Sequence, residues 1–202
     1  MRAGWPALVS ARHDPRLPGT GKADVIQRFC AALPLVRAWI DRLPARHAAN
    51  ARKFSTLGFN RLASCYPADL LERARVVSVE RTPFPPASQF NLPEFAQLQE
   101  RQFEGITFND TFFVVKGRGF ESLHFHELVH VVQWSRLGVD NFLLAYGLGL
   151  LQFGYEQSPL EQMAYSLQQL FERGAVPNDL VRIIENGTDE VWNQVAQVVG
   201  AQ

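Results

Sequence analysis

Residues 124–130 read HFHELVH, which puts three of the chain's five histidines within seven residues of an otherwise apolar segment. The flanking Phe125, Leu128, Val129, Val131 and Val132 leave almost no polar side on a helix, so the segment is expected to be buried all round. Burying a carboxylate with two imidazoles costs several kcal/mol unless something pairs with them. The rest of the fold has to make these residues tolerable.

His126 and His130 are four residues apart, so on an α-helix they stack on one face with Cβ atoms about 5 to 6 Å apart. Two imidazoles can then reach one ion. Zn²⁺ takes histidine nitrogens at about 2.0 to 2.1 Å, and catalytic sites use three protein ligands and leave a fourth position open. Glu127 lies about 100° round the helix from His126, where its carboxylate can take a proton from a water. This is the HExxH arrangement. His124 points about 200° away from His126, which assigns it to another face, and Trp134 reads as core.

The third ligand must come from elsewhere, because no histidine follows His130. Asp140, Glu156, Glu161 and Glu172 are the carboxylates to weigh. Asp140 falls just past the expected helix end, too close to fold back, and Glu172 sits beside Arg173 on a solvated face. Ser158 and Glu161 have the spacing of a capping box. With Leu160, Ala164 and Leu167 to bury, however, Glu161 can also face inward. Glu156, in the preceding loop, stays as the alternative, and spacing and placement favour Glu161.

Along the chain, a Pro/Gly-rich leader to about Gly21 gives way to helical periodicity through ADVIQRFCAALPLVRAWIDRL, with Pro34 expected to start a second helix. More helix is expected through HAANARKF and PADLLERAR. VVSVE (76–80) reads as a strand and runs into the proline-rich RTPFPPASQFNLPEF, a loop of the kind that borders a cleft. GITFNDTFFVVKG (105–117) predicts a hairpin turning at Asn109 and Asp110. The histidine helix should run from about Phe120 to Leu137 and stop at Gly138. A glycine-spaced bend or broken helix, a helix from Ser158 to Gly174, and a last helical pair (178–185 and 188–199) complete the reading.

HELVHVVQW, followed by YGLGLLQFGYEQSPLEQMAY, resembles the gluzincin branch of zinc metallopeptidases. It is especially similar to uncharacterised bacterial domains that pair an HELxHVxQ helix with a later proline-containing, glutamate-bearing helix. The resemblance spans about residues 76–172 and implies that Glu161 is the third metal ligand, while the hairpin resembles the strand preceding a zincin active-site helix. Met163 departs from the pattern, which would place a polar or acidic residue there.

The expected fold is therefore α+β: one mostly helical, zincin-like domain over residues 1–202, with an N-terminal helical part (1–75), a metal-site core (76–172) and C-terminal helices (173–202). A small antiparallel sheet should pack on the HExxH helix. The expected function is zinc-dependent hydrolysis of a peptide or amide carbonyl. Zn²⁺ would sit on His126, His130 and Glu161, Glu127 would be general base, and Tyr155 or Tyr165 would steady the oxyanion. A peptide or protein substrate could lie along the hairpin edge as an added strand. The alternative is a non-catalytic, zinc-stabilised interaction module.

Twenty basic residues balance twenty acidic ones, which gives no electrostatic footprint for nucleic acid or an anionic membrane. The longest apolar run, Phe142 to Tyr155, is broken by glycines and is shorter than the ~20 residues a membrane span needs. Cys30 and Cys65 read as reduced core thiols. With no secretory signal legible at the start, a cytoplasmic location is expected; the oligomeric state is left open.

Overall fold

The structure, a computed structural model, describes residues 22–200; the Pro/Gly-rich leader lies outside them. In α1 (Lys22–Asp41), the buried Val25, Ile26, Phe29, Ala32, Val36 and Ile40 form one continuous stripe. That stripe passes through Pro34, so the second helix expected to begin there does not exist. Burial on both sides of the proline outweighs the ~3 kcal/mol it costs inside a helix.

Next come α2 (Leu43–His47), a 3-10 turn and β1 (Ala51–Lys53). Helix was expected through this stretch. Residues 51–53 form a strand instead because they pair antiparallel with β2 (Arg75–Val79). Between these strands lie α3 (Asn60–Cys65) and α4 (Ala68–Arg73). After β2, the proline-rich loop leads to α5 (Ala96–Glu100) and then to the expected hairpin of β3 (Gly105–Phe108) and β4 (Thr111–Val115), with Asn109 at φ 57° in its turn.

The sheet order is β1-β2-β4-β3. Both outer pairings are antiparallel, as expected, but β2 and β4 run parallel, which makes the sheet mixed. The chain spends residues 80–104 crossing back before it enters the hairpin, and a parallel pair requires a connection of that length.

The central element is α6 (Glu121–Phe153), which packs against α1, β3, α7 (Pro159–Glu172) and α8 (Leu180–Gly200). Every residue from His124 to Trp134 is buried, as its apolar flanks require. Gly138 breaks the helix with φ 72° and ψ 174°. The histidine helix thus ends at this kink, as expected, and a second helical stretch carries the glycine-spaced segment as far as Phe153. By contrast, α8 continues through Asn186 and Gly187, where two helices were expected. Its buried face, Leu180, Ile184, Gly187, Thr188, Val191 and Val195, is uninterrupted, and Thr188 Oγ1 donates to the Ile184 carbonyl at 2.7 Å.

Cys30 and Cys65 are free and only half-buried, not core thiols. Among the described residues, no helix is long and apolar enough to cross a membrane.

Candidate metal centre

His126 and His130 on α6 and Glu161 on α7 converge at the helix interface, each at most 5% exposed. The two Nε2 atoms are 3.0 Å apart. Glu161 Oε2 lies 3.4 Å from His126 Nε2, and Oε1 lies 3.5 Å from His130 Nε2.

The other face of each ring decides what these atoms are. His126 Nδ1 is 3.1 Å from Gln168 Oε1, and His130 Nδ1 is 2.8 Å from Gln133 Oε1. The amide orientations are fixed from their far ends, because Gln168 Nε2 donates to Glu172 at 3.2 Å and Gln133 Nε2 donates to the Leu160 carbonyl at 3.1 Å. An amide oxygen only accepts, so both Nδ1 atoms carry the proton and both Nε2 atoms present lone pairs. Two imidazole lone pairs and a carboxylate therefore face one another with no donor between them.

A cation resolves that arrangement. An ion about 2.0 to 2.1 Å from each donor in tetrahedral geometry separates ligand atoms by ~3.3 Å; the imidazole nitrogens are 3.0 Å apart, and each lies 3.4 to 3.5 Å from a different oxygen of Glu161. In addition, Glu161 Oε2 is buried without a hydrogen-bond partner, which marks a missing positive group. The donor set fits a divalent ion of the kind imidazole and carboxylate favour.

The buried histidines and Glu161 also interact strongly with one another. Burial pushes the Glu161 carboxyl up, but the His130 and His126 imidazoles outweigh it and hold the group well below the usual carboxylate range. Burial pulls His130 down, and the Glu161 carboxylate overrides it, raising the imidazole to about 9.

Glu161 is not a capping residue. Ser158 occupies the N-cap position, but no side-chain cap bond forms there and its hydroxyl is unpartnered. Glu161 turns inward, where Tyr146 Oη donates to its Oε1 at 2.5 Å. The other carboxylates face solvent: Asp140 pairs with Arg37, Glu156 with Arg101, and Glu172 accepts from Gln168.

Glu127 is 3% exposed, and its Oε2 accepts from Thr107 Oγ1 of β3 at 2.6 Å. Gly105 makes room for it: a Cβ there would lie 2.2 Å from Glu127 Oε1. Burial pushes the Glu127 carboxyl up against the pull of both histidines. Tyr165 sets its ring against His126, with centroids 4.7 Å apart, and its hydroxyl donates to Tyr155 Oη at 3.4 Å. His124 sits on another face among Phe54, Phe59 and Phe112, with Nδ1 bonded to the Phe120 carbonyl at 2.8 Å.

Tyr146, Gln133, Gln168, Thr107 and Gly105 were not identified from the sequence. Tyr146 had a readable signal, since Trp134, Phe142 and Tyr146 recur at helical spacing and stack in the structure. Met163, where a polar residue was expected, is fully buried with Sδ 3.5 Å from Gln133 Nε2. Gln133 supplies the polar partner of His130 instead.

His126, Glu127, His130 and Glu161 form part of the wall of a largely apolar cavity that is partly open to solvent. Most of the remaining lining is aromatic or aliphatic, including Phe29, Phe95, Phe103 and Trp134, and the proline-rich loop adds Phe84, Pro85 and Ala87. A scan of family models and searches of curated proteins and of solved structures give no match to the chain.

Proposed function

We propose that the protein is a zinc-dependent hydrolase of the metallopeptidase type, cleaving a peptide or amide carbonyl presented in this cavity. One observation carries the reading: the buried His126, His130 and Glu161 each turn a ligand atom toward one point, beside a second buried carboxylate, Glu127, that lines the same cavity. Zinc held by His126, His130 and Glu161 would supply Lewis acidity, lowering the pKa of water toward ~7 and polarising the carbonyl.

Glu127 takes the proton from the attacking water and returns it to the leaving nitrogen as the C–N bond breaks. Thr107 holds the carboxylate in place through Oε2. Gln133 and Gln168 keep both Nε2 atoms free of protons, which lets them serve as ligands. Tyr155 accepts from Tyr165, so its own proton is available to the oxyanion; burial raises the Tyr155 hydroxyl's pKa and keeps it protonated.

Glu127→Gln tests the reading. The amide keeps the shape but cannot accept a proton, so zinc content should stay near one per chain while amide hydrolysis falls by at least ~100-fold. Equal cleavage by wild type and variant would remove Glu127 from the mechanism. A wild type that binds no zinc would remove the metal.

A further inference from the structure

Within the hydrolase reading, on which this inference rests, the cavity specifies the acyl side of the substrate. Among the described residues, its charged or ionisable lining groups besides tyrosine are the four site residues themselves, and nearly everything else is apolar. No side chain there could pair with a charged substituent.

Trp134 stacks on Phe142 with centroids 3.9 Å apart, Phe142 stacks on Tyr146 at 5.5 Å, and the Tyr146 hydroxyl ends on Glu161. An aromatic, apolar wall therefore adjoins the His126, His130 and Glu161 group. Phe29 and Val36 of α1 and Phe95 and Leu98 of the 80–104 crossing contribute to the remaining lining.

An extended peptide needs main-chain partners as well, and β3 is the strand that would supply them. Val115 N donates to Glu104 O, so by the alternation of an antiparallel ladder residues 105 and 107 point away from β4. The main-chain carbonyl of one of them is already engaged by α6, and a side chain of α6 crowds the other. The Thr107 carbonyl accepts from Trp134 Nε1 at 3.2 Å, and Glu127 lies against Gly105.

We infer that the substrate class is a fatty-acyl amide, with a long unbranched apolar chain filling the cavity and its carbonyl at the His126, His130 and Glu161 centre. In the reaction, the water oxygen bonds to the acyl carbon and the C–N bond breaks. The proton passes through Glu127 to the nitrogen, and the products are a fatty carboxylate and an amine.

The test is calorimetric binding of aceto-, hexanoyl-, decanoyl- and tetradecanoylhydroxamate to the zinc-loaded protein. Affinity should rise about fourfold per added methylene until the cavity is full. In Leu143→Trp, a half-buried wall position, the rise should stop at a shorter chain while acetohydroxamate binds as before. Affinity independent of chain length overturns the proposal, as does tighter binding of an N-acetyl-tripeptide hydroxamate than of decanoylhydroxamate. The corresponding fatty acids titrated into zinc-free protein separate the two readings. Chain-length dependence there, in a protein that never takes up zinc, keeps the acyl cavity and removes the hydrolase. Zinc uptake with no chain-length dependence does the reverse.

Discussion

Gln133 makes the most demanding prediction, because one side chain serves both the metal ligand and the helix interface. It is fully buried, accepts from His130 Nδ1 at 2.8 Å and donates to the Leu160 carbonyl at 3.1 Å. Gln133→Leu keeps the approximate volume and strands both groups where water does not reach. Each stranded group costs about 1 to 3 kcal/mol, so the metal-free protein should lose about 2 to 6 kcal/mol. At ~2 to 4 °C per kcal/mol for a chain of this size, Tm should fall on the order of 10 °C.

Zinc affinity should fall separately by ~10 to 100-fold, because the unheld imidazole is free to move its proton to Nε2. Gln133→Glu divides the two effects: a carboxylate still accepts from His130 but cannot donate to Leu160, so Tm falls while zinc affinity is largely kept. Thermal unfolding of the metal-free proteins and chelator competition with zinc read the two quantities independently. If Gln133→Leu binds zinc as tightly as wild type, the tautomer argument, and with it the case for three convergent lone pairs, is refuted.

Glu161→Gln should weaken zinc binding by more than ~100-fold, while Glu156→Gln, on an exposed side chain paired with Arg101, should leave it unchanged in the same competition assay. Gly105→Ala puts a Cβ 2.2 Å from Glu127 Oε1, so the carboxylate must retreat by ~1 Å; a misplacement of that size costs about 100-fold in kcat, with zinc content unaltered. Gly138→Ala meets nothing within 4 Å but must hold φ 72°, which costs about 1 to 3 kcal/mol and should appear as a lower Tm with zinc affinity intact.

The buried His126, His130 and Glu161 group was legible because local rules place its members. His126 and His130 follow from helical period, and Glu161 from its position one turn into a helix with an apolar face to bury. The hairpin and β2 were legible for the same reason, since β-branched runs and the Asn109–Asp110 turn are local signals. β1 was not legible: ARK has no strand pattern and is a strand only because β2 lies beside it. Pro34 and Asn186–Gly187 misled in the opposite sense. Each is a local breaker overruled by a buried stripe that continues on both sides. Gln168, Thr107 and Tyr146 act through partners on other elements or far along the same one, so sequence neighbours could not reveal them. The capping-box spacing of Ser158 and Glu161 had two structural solutions, and burial beside two imidazoles selected the inward one.

Thr107 is held by α6 at two heights, its hydroxyl on Glu127 and its carbonyl on the Trp134 indole. Strand side chains alternate faces, so sliding β3 by one residue would turn threonine away and bring Ile106 or Phe108 to the carboxylate. Hairpin alignment thus acts as a proofreading step for the candidate site: only one threading of residues 105–115 anchors the carboxylate and satisfies the indole at once. It follows that the gene should tolerate length changes unevenly. A single added or deleted codon at Asn109–Asp110 shifts the alignment and should disrupt the centre without touching His126, His130 or Glu161, whereas an insertion at the exposed Ser88–Gln89 turn leaves the register of β3 as it is.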